Sequence, residues 1–264
     1  MILYVICYLI ALFACTIGAL SGMGGGVIIK PVLDATGMFT VTSVNFLSGC
    51  TVIMMTTWSI AKTLMKKETT IELKTSGILG LSAAVGGVSG KILFDQIKIL
   101  FENQETVKGV QACVLLLATL ATFIYTINKD KLKGRETDSL SAMIVIGLIL
   151  GILGSFLGIG GGPFNVAALT CFFSMPMKKA TQNSLVIVWC SQVFGTGQSL
   201  ITKGMPDVPL LILLGMIICG ILGSEAGRKI NKKIDNKQST LLFEGVMILI
   251  MCINVYNIAQ AFGM

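Results

Sequence analysis

Of the 264 residues, 54% are apolar and only 12% are charged, with a mean hydropathy of +0.85. An ordinary soluble domain has about a quarter of its residues charged, so the composition excludes that class and identifies an integral membrane protein. The formal charge of +7 calls for no nucleic-acid partner, because cytoplasmic loops of membrane proteins carry an excess of Lys and Arg.

The first apolar stretch, residues 1–21, has no Lys or Arg. A cleaved signal peptide needs a basic start, so this stretch reads as a retained span. It runs into Gly22-Met23-Gly24-Gly25-Gly26. Each glycine costs a helix roughly 1 kcal/mol, so three in a row end it. A short apolar stretch, 26–39, follows, and then longer ones at 44–61, 75–94 and 109–127. After a basic segment at 128–138 the pattern resumes at 139–159, and a second run, Gly158-Ile159-Gly160-Gly161-Gly162, breaks it. The remaining apolar stretches are 163–177, 180–202, 208–227 and 240–262. Nothing between Asp138 and Lys178 carries a charge. A single helix over that stretch would be nearly twice the length of roughly 20 residues that crosses a bilayer core. The glycines divide it into a full-length arm and a short one, as they do near the N-terminus, and the short arms read as re-entrant.

The basic residues support this division. If each broken segment returns to its side of entry, then Lys62, Lys66, Lys67, Lys74, Lys129, Lys131, Lys133, Arg135, Lys178, Lys179, Arg228, Lys229, Lys232, Lys233 and Lys237 share one side. Lys91, Lys98, Lys108 and Lys203 lie on the other. If each broken segment is one crossing, the two sides are nearly equal. The positive-inside rule therefore selects hairpins, with both termini outside.

The halves resemble each other. Sliding one along the other without a gap lays Gly18, Gly22, Gly24, Gly25, Gly26, Leu33 and Ser48 on Gly154, Gly158, Gly160, Gly161, Gly162, Leu169 and Ser184. With a single insertion, Gly86/Gly90 pairs with Gly223/Gly227. The expected fold is all-α and polytopic, with two inverted repeats, each a glycine-broken hairpin followed by three spanning helices. The repeats occupy 1–127 and 139–264, joined by the basic linker 128–138. Inverted repeats with broken helices near the midplane mark secondary transporters.

The glycine runs are the first candidate site. Irregular backbone inside a bilayer is tolerated only where protein or a water-filled cavity satisfies it. Successive N–H groups at a glycine turn, followed by a helix start, form a concave anion site. Gly24, Gly25 and Gly26 with Gly160, Gly161 and Gly162 are its members; close packing through Gly18/Gly22 and Gly154/Gly158 is the competing reading. Lys30 lies about one turn beyond the first run. It either reaches an anion held there or snorkels to the interface with Asp34 as partner. Asn165 offers a neutral donor near the matching place, Val166, in the second half. The span after each hairpin begins with polar residues, among them Asn45 and Ser48 in one and Asn183, Ser184 and Gln192 in the other. Neutral amide and hydroxyl donors suit an oxyanion without burying a formal charge, whereas Thr51 reads as packing. Glu225 and Glu244 read as interfacial. Eight cysteines fall singly, with no CxxC and no histidine, so they read as small packing residues and no metal or other cofactor is expected.

The doubled Gly-x-x-x-Gly-x-Gly-Gly-Gly pattern, with Pro31 and Leu33 after the first copy and Ala180-Thr181-Gln182-Asn183-Ser184-Leu185 after the second, resembles the TauE/SafE family of sulfite-exporter-like permeases. Two positions depart from it: Ala167 stands opposite Pro31, and Pro163 directly follows the second run. The resemblance implies a multi-pass carrier in the cell's cytoplasmic membrane for sulfite, sulfonates or other small organic anions. It also implies binding at the glycine triplets, Ser48, Asn183 and Ser184. Expected partners are the small anion and the lipid bilayer; a coupled H⁺ or Na⁺ and a homodimer stay open. No GxxxxGK[ST] motif occurs, which argues against direct use of ATP. Competing readings are an intramembrane enzyme using Ser21 with Lys30, an anion channel, or a membrane partner of a redox complex.

Overall fold

The computed structural model describes residues 2–65, 71–100, 104–129, 137 and 139–262. Among them are ten α-helices and no strand. They are α1 (Ile2–Ser21), α2 (Gly26–Thr36), α3 (Val41–Met65), α4 (Leu73–Leu100), α5 (Gln104–Asn128), α6 (Leu140–Phe156), α7 (Gly162–Phe173), α8 (Met177–Lys203), α9 (Leu210–Asn231) and α10 (Asn236–Phe262). Seven of these, α1, α3, α4, α5, α8, α9 and α10, are long and apolar enough to cross a membrane. The chain is a polytopic helical membrane protein, as expected. Most spanning helices overrun their apolar stretches. Lys, Gln and Glu at the ends are good helix formers, so the helix continues after the apolar pattern stops. The short arms have 11 and 12 residues, about half a crossing. Lys66, Lys67, Lys131, Lys133, Arg135 and most of the 128–138 linker lie outside the described residues.

Each half packs its first helix against the other half: α1 lies on α9, and α6 lies on α4. Glycines make this possible. A methyl group on Gly86 or Gly90 would sit 2.2 or 2.3 Å from the carbonyl oxygens of Leu148 and Ile152. On Gly223 or Gly227 it would sit 2.4 or 2.2 Å from those of Leu12 and Thr16. In the register that lays Gly154 on Gly18, Leu148 and Ile152 fall on Leu12 and Thr16, so the two contacts are one contact made twice. Small residues that let backbones touch are what drives helix association in lipid, where apolar burial contributes little. Large apolar side chains such as Phe13, Leu81, Leu117 and Leu222 are exposed, as expected of surfaces that face acyl chains.

Polar contacts gather the basic segments at one end of the bundle. Lys179 pairs with Glu72. Lys178 Nζ donates to Ile234 O at 2.6 Å, and Lys129 Nζ to Thr240 Oγ1 at 2.9 Å. At the other end Lys98 Nζ donates to Thr42 Oγ1 at 2.9 Å. This is the grouping that the hairpin count requires; treating each broken segment as one crossing separates Glu72 from Lys179.

Candidate functional site

Both glycine runs break the helix. Gly22 and Gly24 have φ of +73° and +72°, and Gly158, Gly160 and Gly161 have +71°, +78° and +83°, a region that favours glycine. The chain doubles back so that Gly24 N–H donates to Gly18 O at 3.3 Å and Gly160 N–H donates to Gly154 O at 3.0 Å. A methyl on Gly18 would lie 2.5 Å from Gly25 N, and on Gly154 2.4 Å from Gly161 N. The leading glycine of each motif thus makes room for its own returning tip. α2 and α7 then start at Gly26 and Gly162, with Pro163 in the first turn of α7.

The tips meet. A methyl on Gly26 would sit 3.0 Å from Ile159 O, and one on Gly162 only 2.1 Å from Met23 O. Met23 and Ile159 hold the same place in the two runs, so each tip abuts the other's second residue. Gly22 lies against Thr181 and Gly158 against Asn45, while Gly24 and Gly160 both face Val188. The first N–H groups of α2 and α7 have no acceptor inside their helices and bear the positive ends of the two helix dipoles.

Around this meeting point, buried side chains stand without partners. Ser48 Oγ, Gln192 Nε2, Asn165 Oδ1 and both amide atoms of Asn45 have no hydrogen-bond partner. Asn165 Nδ2 donates to Gly160 O at 3.3 Å, and Gln192 Oε1 accepts from Thr196 at 3.3 Å. Buried polar atoms are nearly always paired, so a group of unpaired ones at one point makes this the candidate binding place. Ser184 Oγ donates to Gly22 O at 2.7 Å and supports the first tip.

Asn183 stands apart from this group. Its Oδ1 accepts from Glu72 N–H at 2.8 Å and from the Ser76 hydroxyl, and its Nδ2 donates to Lys179 O at 2.7 Å. That amide anchors the start of α4. Lys30 is 3% exposed. Its Cδ would lie 3.2 Å from a methyl on Gly158, and its Nζ ends on Asp34 Oδ2 at 2.7 Å. The side chain therefore runs along the second tip to an ion pair, without snorkelling. Ser21 donates to Ile17 O at 2.8 Å, so Ser21 and Lys30 are each engaged elsewhere and form no nucleophile pair.

The sequence names Asn45 as one of the polar residues of its span but does not single it out as a site residue. Its counterpart in the second half is Thr181, and interhelical hydrogen bonding is the competing role for a polar residue there. Only its place beside Gly158 distinguishes it.

Two cavities flank the tips at opposite ends of α3 and α8. One, of about 470 Å³, is lined by Thr63, Lys178, Gln182, Arg228, Asn231 and Lys232 at the basic end. The other, of about 30 Å³, is lined by Thr42, Phe46, Lys91, Phe94, Asp95 and Ser199. These are matching places. Lys178, Gln182 and Ser199 fall on Thr42, Phe46 and Thr63 in the gapless register. Arg228, Asn231 and Lys232 fall on Lys91, Phe94 and Asp95 once the single insertion is made. Phenyl rings thus occupy on one side what Gln182 and Asn231 leave open on the other.

Residues 7–254 match the model of the family described as sulfite exporter TauE/SafE. The chain is also 26% identical to the probable membrane transporter protein YunE of Bacillus subtilis, over 96% of this chain and 98% of that protein. It is 25% identical to the probable membrane transporter protein MJ0441 of Methanocaldococcus jannaschii, over 88% and 87%. No solved structure matches. With a family match over nearly its full length, carried on a polytopic helical fold, the chain belongs to the TauE/SafE family of membrane transporters, and is not an enzyme.

Proposed function

We propose that this transporter is a secondary carrier that moves a small oxyanion, sulfite or a related sulfonate, by alternating access. The observation that carries the reading is the meeting of two glycine tips inside a shell of unpaired buried polar groups, three of which can donate. The backbone N–H groups of Gly25, Gly26, Gly161 and Gly162 supply a positive cradle, while those of Gly24 and Gly160 close the two tips onto Gly18 and Gly154. Ser48 Oγ, Asn45 Nδ2 and Gln192 Nε2 supply neutral donors around it. Asn165 and Ser184 hold the tips in shape, and Lys30, ion-paired with Asp34, runs along the second tip. Sulfite suits such a site: it is small, charged and rich in acceptors, and it is the substrate in the family's description.

Alternating access is supported by the unequal cavities. In an inverted repeat, three spans per half bring the second copy in from the opposite face, so matching cavities open to opposite sides. Here the cavity at the basic end is wide and its counterpart is narrow. By the positive-inside rule this is the inward-open form, and rocking one repeat against the other exchanges the two. Both termini then face outward, and the halves, 1–127 and 139–264, are the moving units.

The test is counterflow of radiolabelled sulfite into liposomes loaded with unlabelled sulfite. Saturable counterflow that survives Ser21→Ala is expected. Unsaturable flux means a channel, and no flux of any small sulfur oxyanion or sulfonate overturns the reading.

A further inference from the structure

Away from the tips, where α2 packs against α10 and its outer end nears α5, a second set of buried polar atoms lines one cavity. Asp34 gives Oδ2 to Lys30, and its Oδ1 has no hydrogen-bond partner. On α5, Gln111 Nε2 donates to Phe156 O at 2.6 Å. On α10, Asn257 Nδ2 donates to Pro31 O at 3.0 Å. A backbone carbonyl only accepts, so each amide must turn its nitrogen to it. What remains, Gln111 Oε1 and Asn257 Oδ1, are both acceptors, and both are buried without a partner. Asp34, Gln111 and Asn257 are 8%, 3% and 6% exposed and line a cavity of about 10 Å³. That is room for about one water-sized particle.

Three acceptor oxygens cannot satisfy one another, since none has a hydrogen. A water brings two hydrogens for three acceptors; one small cation serves all three. We infer that this cavity is a monovalent cation site, with Na⁺ as its occupant and Asp34 Oδ1, Gln111 Oε1 and Asn257 Oδ1 as its protein ligands. Oxygen ligands suit a hard cation, and one carboxylate already shared with Lys30 is too little charge for Ca²⁺ or Mg²⁺. The other charged groups lining the cavity are Glu105 and Lys108, paired with each other at 2.8 Å. The second half has Val166 and Thr170 where the first has Lys30 and Asp34, so the site belongs to one repeat and holds one ion per chain.

Its consequence rests on the carrier reading above. Na⁺ on Asp34 competes with Lys30 for the carboxylate and leaves the pocket with one excess positive charge. The Lys30 side chain already runs along Gly158, so an anion at the tips neutralises that excess. Cation and anion then strengthen each other's binding by the same factor, which couples the ion to the substrate.

The test uses the purified full-length protein in detergent, with NaCl exchanged for KCl or choline chloride at constant ionic strength. The wild type is expected to gain roughly 5 °C in melting temperature with Na⁺ alone. Gln111→Leu and Asn257→Leu, which keep the Lys30–Asp34 pair, are expected to lose that gain whatever their own baseline stability. Equal responses to Na⁺, K⁺ and choline, or a Na⁺ response unchanged in both variants, overturn the site. Adding sulfite separates the two proposals. Stabilisation by Na⁺ with no response to sulfite keeps the cation site and removes the substrate reading. Stabilisation by sulfite that ignores Na⁺ does the reverse.

Discussion

Ser184 and Ser48 hold matching places on α8 and α3, yet only one of them is bonded. Ser184 Oγ reaches Gly22 O at 2.7 Å, while Ser48 Oγ is buried without a partner. The difference predicts opposite outcomes for the same substitution. Ser184→Ala leaves the Gly22 carbonyl unpaired and is expected to cost about 1 kcal/mol, lowering the melting temperature by about 2–4 °C. Ser48→Ala removes an unpaired group, so stability should hold while sulfite affinity falls. Thermal melts with and without sulfite check both.

The tip contact predicts a strong asymmetry among glycines. Gly162→Ala drives a methyl to 2.1 Å from Met23 O, a backbone atom that cannot swing aside. Loss of sulfite counterflow and a large fall in melting temperature are expected. Gly77 has nothing within 4 Å of a methyl and sits in α4. Gly77→Ala should keep transport and raise stability by up to about 1 kcal/mol.

Thr63 and Ser199 are equivalent positions on the walls of the wide and narrow cavities. In a background with the native cysteines replaced, Thr63→Cys is expected to react several times faster than Ser199→Cys with a small water-soluble thiol reagent. Equal rates in a symmetric membrane preparation would show that the two cavities are open alike.

Glu72 links the start of α4 to α8. The hydrogen bond and charge of Lys179 hold its carboxyl below the usual carboxylate range. A carboxyl lowered in the folded state contributes stability above its unfolded value, and loses it as pH falls through the folded one. The wild type should therefore lose more stability than Glu72→Gln between about pH 5 and pH 3. The pair is partly exposed, so the difference should not exceed about 1 kcal/mol. Melting curves across that range read it directly.

Much of this was legible in the residues. Positive φ is a demand that favours glycine, so two glycine triplets announced two tips, and the gapless match between the halves announced that they correspond. The i, i+4 spacing of Lys30 and Asp34 announced their pair. Other features depended on distant partners. Asn183 reads as a site donor until its nitrogen is seen to donate to Lys179 O while its oxygen accepts from Glu72 and Ser76, far earlier in the chain. Phe46 opposite Gln182, and Phe94 opposite Asn231, carry the difference between a narrow and a wide cavity. Nothing in either pair alone says that they line matching walls. Asn45 is one polar residue among several at the start of its span until Gly158 comes to rest against it.

The most direct test of the central claim, that a small oxyanion is held between the tips, is equilibrium binding of radiolabelled sulfite to purified protein. The wild type and the Ser48→Ala/Gln192→Leu double variant are compared at matched, verified folding. The account predicts one saturable site per chain in the wild type, weakened about tenfold or more in the variant, which corresponds to about 1.4 kcal/mol or more. Equal affinity in the two proteins, or no saturable binding by the wild type, would contradict it.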